Sequence, residues 1–189
     1  PPTYMTHASV VAYYRALAAS VPNLPFFSYI LNPHLDPIPV MRELVAVPNL
    51  IGAKYTGPNL YELRQIIELN HGRWIVFAGM DEQATYAAMM GVQGCIGSTL
   101  NFMPGVYRAI SHSVAQGDYA SAQSMQLRAN RVTAAMSAVG FAGALREVLR
   151  RIGFECGEPR LPSLPLTAEA KLQLHRSLEA TDFDALIAL

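Results

Sequence analysis

Asn49-Leu50-Ile51-Gly52-Ala53-Lys54-Tyr55-Thr56 is a short apolar run with one ammonium inside it. It hardly alternates between apolar and polar residues, so it reads as a parallel strand covered on both faces. A charged lysine is costly there unless something uses it. Dry surroundings disfavour the ammonium form and free a lone pair for attack on a carbonyl, which is how an imine-forming lysine is made. The plain alternative is a lysine at a strand end reaching out to water. The chain holds only two lysines, Lys54 and Lys171, against twelve arginines.

Three more runs of the same kind flank this one, at residues 24–30, 73–79 and 92–98. Helical signals fill the intervals. Thr6 caps a predicted helix over 6–19, and Asn59-Leu60-Tyr61-Glu62 reads as a capping box opening a helix to about residue 69. Asp81-Glu82 opens another, which Gly91 closes. Beyond Ser98 the pattern turns to helices only, over 104–116, 119–139, 142–152 and 167–178. Strand alternating with helix predicts an α/β fold with a parallel sheet. A doubly wound sheet is disfavoured, because no glycine-rich phosphate-binding turn follows a strand. A barrel sets its reactive groups at the carboxyl ends of successive strands. Those ends hold Tyr29, then Lys54 with Thr56, then Gly79 with Asp81 and Glu82, then Gly97 with Ser98.

The bulk properties exclude several function classes. The chain is 51% apolar and 15% charged, with a formal net charge of zero, and its length allows one domain with a substantial core. No basic run points to nucleic acid and no basic amphipathic stretch to a membrane surface. No apolar segment approaches the roughly 20 residues of a spanning helix. Cys95 and Cys156 are too few for a disulfide framework, which makes the cytoplasm the expected compartment. His7, His34, His71, His112 and His175 are scattered, and no metal site is expected. Met89, Met90, Met125 and Met136 read as core filling. The opening Pro1-Pro2-Thr3-Tyr4 lacks an initiator methionine, and the expectation is a piece of a longer protein, a processed product or an incomplete gene model.

Four motifs in order carry a family resemblance: Pro25-Phe26-Phe27-Ser28-Tyr29, Gly52-Ala53-Lys54-Tyr55-Thr56, Gly79-Met80-Asp81-Glu82-Gln83, and Gly94-Cys95-Ile96-Gly97-Ser98-Thr99-Leu100-Asn101. Together they resemble the pyruvate-dependent class I aldolases of the N-acetylneuraminate lyase and dihydrodipicolinate synthase family. The tail Gly157-Glu158-Pro159-Arg160-Leu161-Pro162 is similar to the end of animal members. The resemblance implies the carboxyl-terminal half of a (β/α)8 barrel, strands five to eight, plus extra helices. On that frame residues 1–103 are the partial barrel, and 104–189 are the last barrel helix and the helical extension. Members that cleave sialic acid fit best. The arginine that aspartate-semialdehyde synthases carry shortly after the strand tyrosine is absent here until Arg42. Ile30-Leu31-Asn32 departs from the Tyr-x-Ile-Pro turn usual in the lyases.

What the resemblance implies for each residue is specific. Lys54 attacks the C2 ketone and forms an imine, an electron sink that lets the C3–C4 bond break. Tyr29 is the acid/base that moves a proton. Thr56 contacts the sugar chain, Asp81 and Glu82 hold its hydroxyls, and Ser98 binds the glycerol end. Gly79 and Gly97 let the backbone approach the ligand. The implied reaction splits N-acetylneuraminate into N-acetylmannosamine and pyruvate with no cofactor, in a homotetramer. Residue by residue the plain readings stand beside these: a core tyrosine, a strand-forming threonine, first-turn acids, turn glycines.

The family's carboxylate-binding Gly-Ser/Thr-Thr-Gly-Glu motif is not present, and four strands do not close a barrel. Two other readings remain open. One is a different pyruvate-dependent aldolase, for a 2-oxo sugar acid or of the dihydrodipicolinate synthase kind. The other is an inactive half-barrel that binds a partner through its open edge.

Overall fold

The computed structural model describes residues 5–31 and 35–189, and the chain divides into two compact units. The first unit takes residues up to Met80 together with Tyr86–Ile96, and the second takes Asp81–Thr85 with Gly97–Leu189.

The first unit is a four-stranded parallel sheet with helices between its strands. Helix α1 (His7–Ser20) precedes β1 (Phe26–Ile30), then come α2 (Pro37–Leu44), β2 (Leu50–Tyr55), α3 (Leu60–Glu68), β3 (Ile75–Ala78), α4 (Ala84–Met90), whose first two residues fall in the second unit, and β4 (Gly94–Cys95). The strands lie in the order β1-β2-β3-β4, all pairs parallel. A doubly wound sheet reverses its order at a switch point, so an unbroken sequential order belongs to a barrel wall.

Local chemistry explains the helix starts. The Thr6 hydroxyl accepts from the Ser9 N–H, and Asn59 Oδ1 accepts from the N–H groups of Tyr61 and Glu62. Helix α2 has no counterpart among the predicted helices. Its Pro37 and Pro39 both fall in the first turn, where the N–H groups have no helical partner anyway. Asp36 completes the start by accepting from Ile38 N–H at 3.0 Å.

The four strands exist as predicted but are shorter, and they are not equally covered on both faces. Ser28, Ala53, Tyr55, Val76 and Ala78 are buried against Val10, Val11 and Tyr14 of α1, Met41 and Leu44 of α2, and Leu63 and Ile66 of α3. On the other face Tyr29 is 39% exposed and Ile75 38%. Phe27 and Phe77 lie side by side there, with ring centroids 5.6 Å apart. The strands are apolar on both sides because a barrel interior needs it. In the described residues, helices cover only the outside.

The second unit holds two short 3-10 turns, Asp81–Gln83 and Thr99–Asn101, and the helices α5 (Pro104–Ala115), α6 (Tyr119–Ala138), α7 (Phe141–Arg151), α8 (Ala168–Glu179) and α9 (Phe183–Ile187). Its buried residues include Val106, Ile110, Ala129, Val132, Met136, Val148, Leu174, Leu178 and Phe183. Met136 is core as expected, whereas Met89 is 47% exposed and fills none. Helix α9 also has no predicted counterpart, since five residues show too little periodicity to read. Among the described residues no single helix is long and apolar enough to cross a membrane.

Candidate active site

The first unit brings Tyr29, Lys54, Thr56 and Gly79 together. Tyr29 and Lys54 are register partners across β1 and β2, and Lys54 is in turn the partner of Phe77 on β3. All three therefore stand in one row on the incompletely covered face. Lys54 Nζ lies 4.5 Å from the centroid of the Tyr29 ring, within the range where an ammonium is drawn to an aromatic face. Among the described residues no carboxylate pairs with Lys54. Lys171, by contrast, pairs with Glu147 at 3.2 Å. Asn32, part of the Ile30-Leu31-Asn32 departure from the family pattern, lies outside the described residues.

Thr56 follows two residues after Lys54, so its hydroxyl shares the same face. That hydroxyl is buried and has no hydrogen-bond partner among the described residues. Gly79 explains how both side chains fit. A Cβ at position 79 would stand 1.8 Å from Thr56 Oγ1 and 2.8 Å from Lys54 Cε. The space beside this glycine is taken by the neighbouring strand's lysine and threonine.

A residue with no sequence signal also belongs to this group. The Tyr14 hydroxyl donates to the Tyr29 carbonyl and accepts from the Tyr29 N–H at 3.0 Å. Burial pushes the Tyr14 phenol up to about 12, against the opposing effect of the Tyr29 backbone bond. Tyr55, on the helix-covered face, donates to Glu62 at 2.6 Å; burial first and Glu62 second push its phenol well above the ordinary value.

The second unit holds Asp81, Glu82, Gly97 and Ser98. Asp81 is 5% exposed, and its Oδ2 accepts from the Thr99 N–H at 2.9 Å and the Thr99 hydroxyl at 2.7 Å. Thr99 Oγ1 is also bonded to the Tyr107 hydroxyl. Oδ1 is buried without a partner among the described residues. It lies against Gly97, where a Cβ would fall 1.4 Å from it. Asp81 therefore ties its own turn to the Gly97-Ser98-Thr99 turn, a role the sequence hides because Thr99 is 18 residues away. Glu82 is half-buried and Ser98 exposed. Two residues one turn apart on α6 hold the acidic segment in place. Gln126 donates to the Asp81 carbonyl at 3.0 Å and accepts from Thr85 N–H at 2.9 Å, while Asn130 donates to the Glu82 carbonyl at 3.1 Å.

None of these residues lines the apolar groove between the end of α1 and the segment that joins α2 to β2, a cavity of about 320 Å³ bordered by Arg15, Ala18, Pro22 and Val47. Among the described residues no group of three or more His, Cys, Asp or Glu side chains is arranged so that it could hold a metal ion.

Comparison with known proteins agrees with the fold. The model of the dihydrodipicolinate synthetase family matches residues 3–181. N-acetylneuraminate lyase from Mus musculus is 29% identical over 184 residues, covering 93% of this chain and 57% of the mouse protein. The N-acetylneuraminate lyase of Rhizobium meliloti (strain 1021) is 33% identical over 166 residues, covering 86% of this chain and 55% of the relative. Among solved structures, Proteus mirabilis N-acetylneuraminate lyase superposes with a TM-score of 0.85 at 25% identity, over 94% of this chain and 62% of that one. The chain thus spans a little over half the length of the curated relatives it matches.

Proposed function

The chain belongs to the dihydrodipicolinate synthetase family, and on that premise we propose that it carries the imine-forming half of a class I aldolase cleaving N-acetylneuraminate. The observation that carries this reading is the row of Tyr29 and Lys54 on adjacent strands, with Nζ 4.5 Å from the phenol ring.

Lys54 Nζ adds to the C2 ketone of the open-chain sugar acid, and loss of water leaves a protonated imine. Removal of the C4 hydroxyl proton then drives the electrons of the C3–C4 bond toward the imine nitrogen. N-acetylmannosamine departs as an aldehyde, and an enamine of pyruvate stays on Lys54. A proton returned to C3 restores the imine, and water releases pyruvate and the free lysine. Tyr29 shuttles the proton, working with the substrate's own carboxylate. Thr56 contacts the sugar chain, its partnerless hydroxyl supporting that role. Asp81, Glu82 and Ser98 bind the sugar hydroxyls and glycerol end, and Gly79 and Gly97 provide the close packing that these side chains require.

The reading assigns the substrate's carboxylate to residues other than those of this chain, in keeping with its coverage of 57% of the mouse relative. Co-expression with the amino-terminal portion of that relative tests it. The expected result is cleavage of N-acetylneuraminate that disappears in Lys54→Ala. A soluble complex without cleavage, or cleavage that survives Lys54→Ala, overturns the proposal.

A further inference from the structure

We propose that Tyr14 is a positioning residue for Tyr29: its hydroxyl clamps the Tyr29 peptide on the open edge of β1 and so sets the Tyr29 phenol beside Lys54. The inference rests on the role given to Tyr29 above.

Strand β1 is the first in the sheet order, so one of its edges has no strand partner among the described residues. Alternate residues of a strand aim their N–H and C=O at opposite edges. Phe26 N–H donates to Asn49 and the Ile30 carbonyl accepts from Thr56 N–H, so even-numbered residues face β2. Tyr29 faces the free edge, where its peptide would need water or another strand. One side chain meets the whole need. The Tyr14 hydroxyl spends its single proton on the Tyr29 carbonyl and a lone pair on the Tyr29 N–H.

The clamp is built rather than incidental. Tyr14 is 3% exposed, its ring held edge-on to Tyr13 at 5.4 Å and tilted against Phe26 at 6.0 Å. It comes from the middle of α1, an element with fixed ends, so the hydroxyl reaches β1 from a rigid support. Burial keeps the phenol protonated far above neutral pH, so the donated hydrogen is present wherever the enzyme works. Tyr29 needs such support. The residue is 39% exposed, so neighbours enclose its ring on part of its surface only and its peptide has a large share in setting its direction. A displacement of about 1 Å costs a reacting group on the order of a hundredfold.

The test separates imine formation from proton transfer. Tyr14→Phe keeps the ring and removes the hydroxyl. Two quantities are followed with pyruvate: the borohydride-trapped adduct on Lys54, and exchange of pyruvate C3 hydrogens for deuterium by proton NMR. The expected result is adduct within about twofold of wild type, C3 exchange slowed about tenfold or more, and a changed pH profile of exchange. Tyr29→Phe is slow as well, and adding Tyr14→Phe to it brings no further loss, because both act through one group. Amide exchange gives an arm free of activity: the Tyr29 N–H exchanges at least about tenfold faster in Tyr14→Phe while Ala53, inside the sheet, is unchanged. Wild-type C3 exchange, an additive double mutant, or an unchanged Tyr29 amide each overturns the inference. A wild-type protein with no adduct on Lys54, alone or with the amino-terminal portion of a relative supplied, removes the aldolase reading itself, and the positioning role with it.

Discussion

Placing a methyl group on Gly79 asks whether the space beside that glycine is what lets Lys54 and Thr56 share a face. The alanine Cβ would lie 1.8 Å from Thr56 Oγ1, 2.9 Å from Thr56 Cβ and 2.8 Å from Lys54 Cε. Carbons settle at about 3.5–4.0 Å, so Lys54 Cε must withdraw by about 1 Å, and Thr56 must turn or shift its strand. Overpacking of this size costs about 1–3 kcal/mol, which corresponds to about 5–150-fold in a rate at 1.4 kcal/mol per decade. Gly94→Ala is the control in the same sheet, because its Cβ would meet Phe77 ring carbons at an ordinary 3.6 Å. The assay is the rate of borohydride-trapped pyruvate adduct, with Tm recorded for each variant. Gly79→Ala should trap at least about fivefold more slowly while remaining folded, and Gly94→Ala should match wild type. Equal trapping rates for Gly79→Ala and wild type would refute the reasoning.

Thr99→Val deletes one of the two bonds to Asp81 Oδ2 and the contact with Tyr107. Leaving a buried carboxylate short of a donor costs about 1–3 kcal/mol, seen as a Tm loss of about 3–10 °C for a chain of this size. An unchanged Tm would mean Asp81 does not staple its turn to Thr99. Glu147 makes a pH prediction. Burial works to raise its carboxyl, but hydrogen bonds from Lys171 and His175, with the charges of Lys171 and Arg150, outweigh it and hold the group below 4.5. A depressed acid stabilises the fold above its unfolded value and loses that contribution as pH falls through the lowered one. Glu147→Gln should therefore lower Tm at pH 7 by a few degrees, about 1 kcal/mol after allowing for solvent screening, and the gap should close as acid is added below pH 4.5. A gap independent of pH would assign the loss to packing.

The parallel sheet was legible because four short apolar runs recur between helix signals with recognisable caps, and its strand order followed from the family resemblance of the four motifs. Thr6, Asn59 and Thr167 each cap the helix that follows them. What the sequence concealed has identifiable causes. Helix α2 hid behind two prolines that fall in the only turn tolerating them. The last strand shrank to Gly94–Cys95, since the Gly97-Ser98-Thr99 turn begins where further pairing would run. The strand that carries Lys54 read as covered on both faces, but coverage of a face depends on which elements the chain brings to it. The supports of the site were the least visible. Tyr14, Gln126, Asn130 and Thr99 act on backbone or on a carboxylate far away in sequence, and no local spacing marks a side chain that bonds to a distant peptide.

The most direct measurement is to incubate the protein with pyruvate, reduce with borohydride and map the adduct by peptide mass spectrometry. Lys171, paired with Glu147 at 3.2 Å, is an internal control in the same chain. The account predicts a carboxyethyl adduct on Lys54 and none on Lys171, with the Lys54 adduct growing when an amino-terminal portion of a relative is supplied. No adduct on Lys54 in either case, or equal labelling of the two lysines, would contradict it.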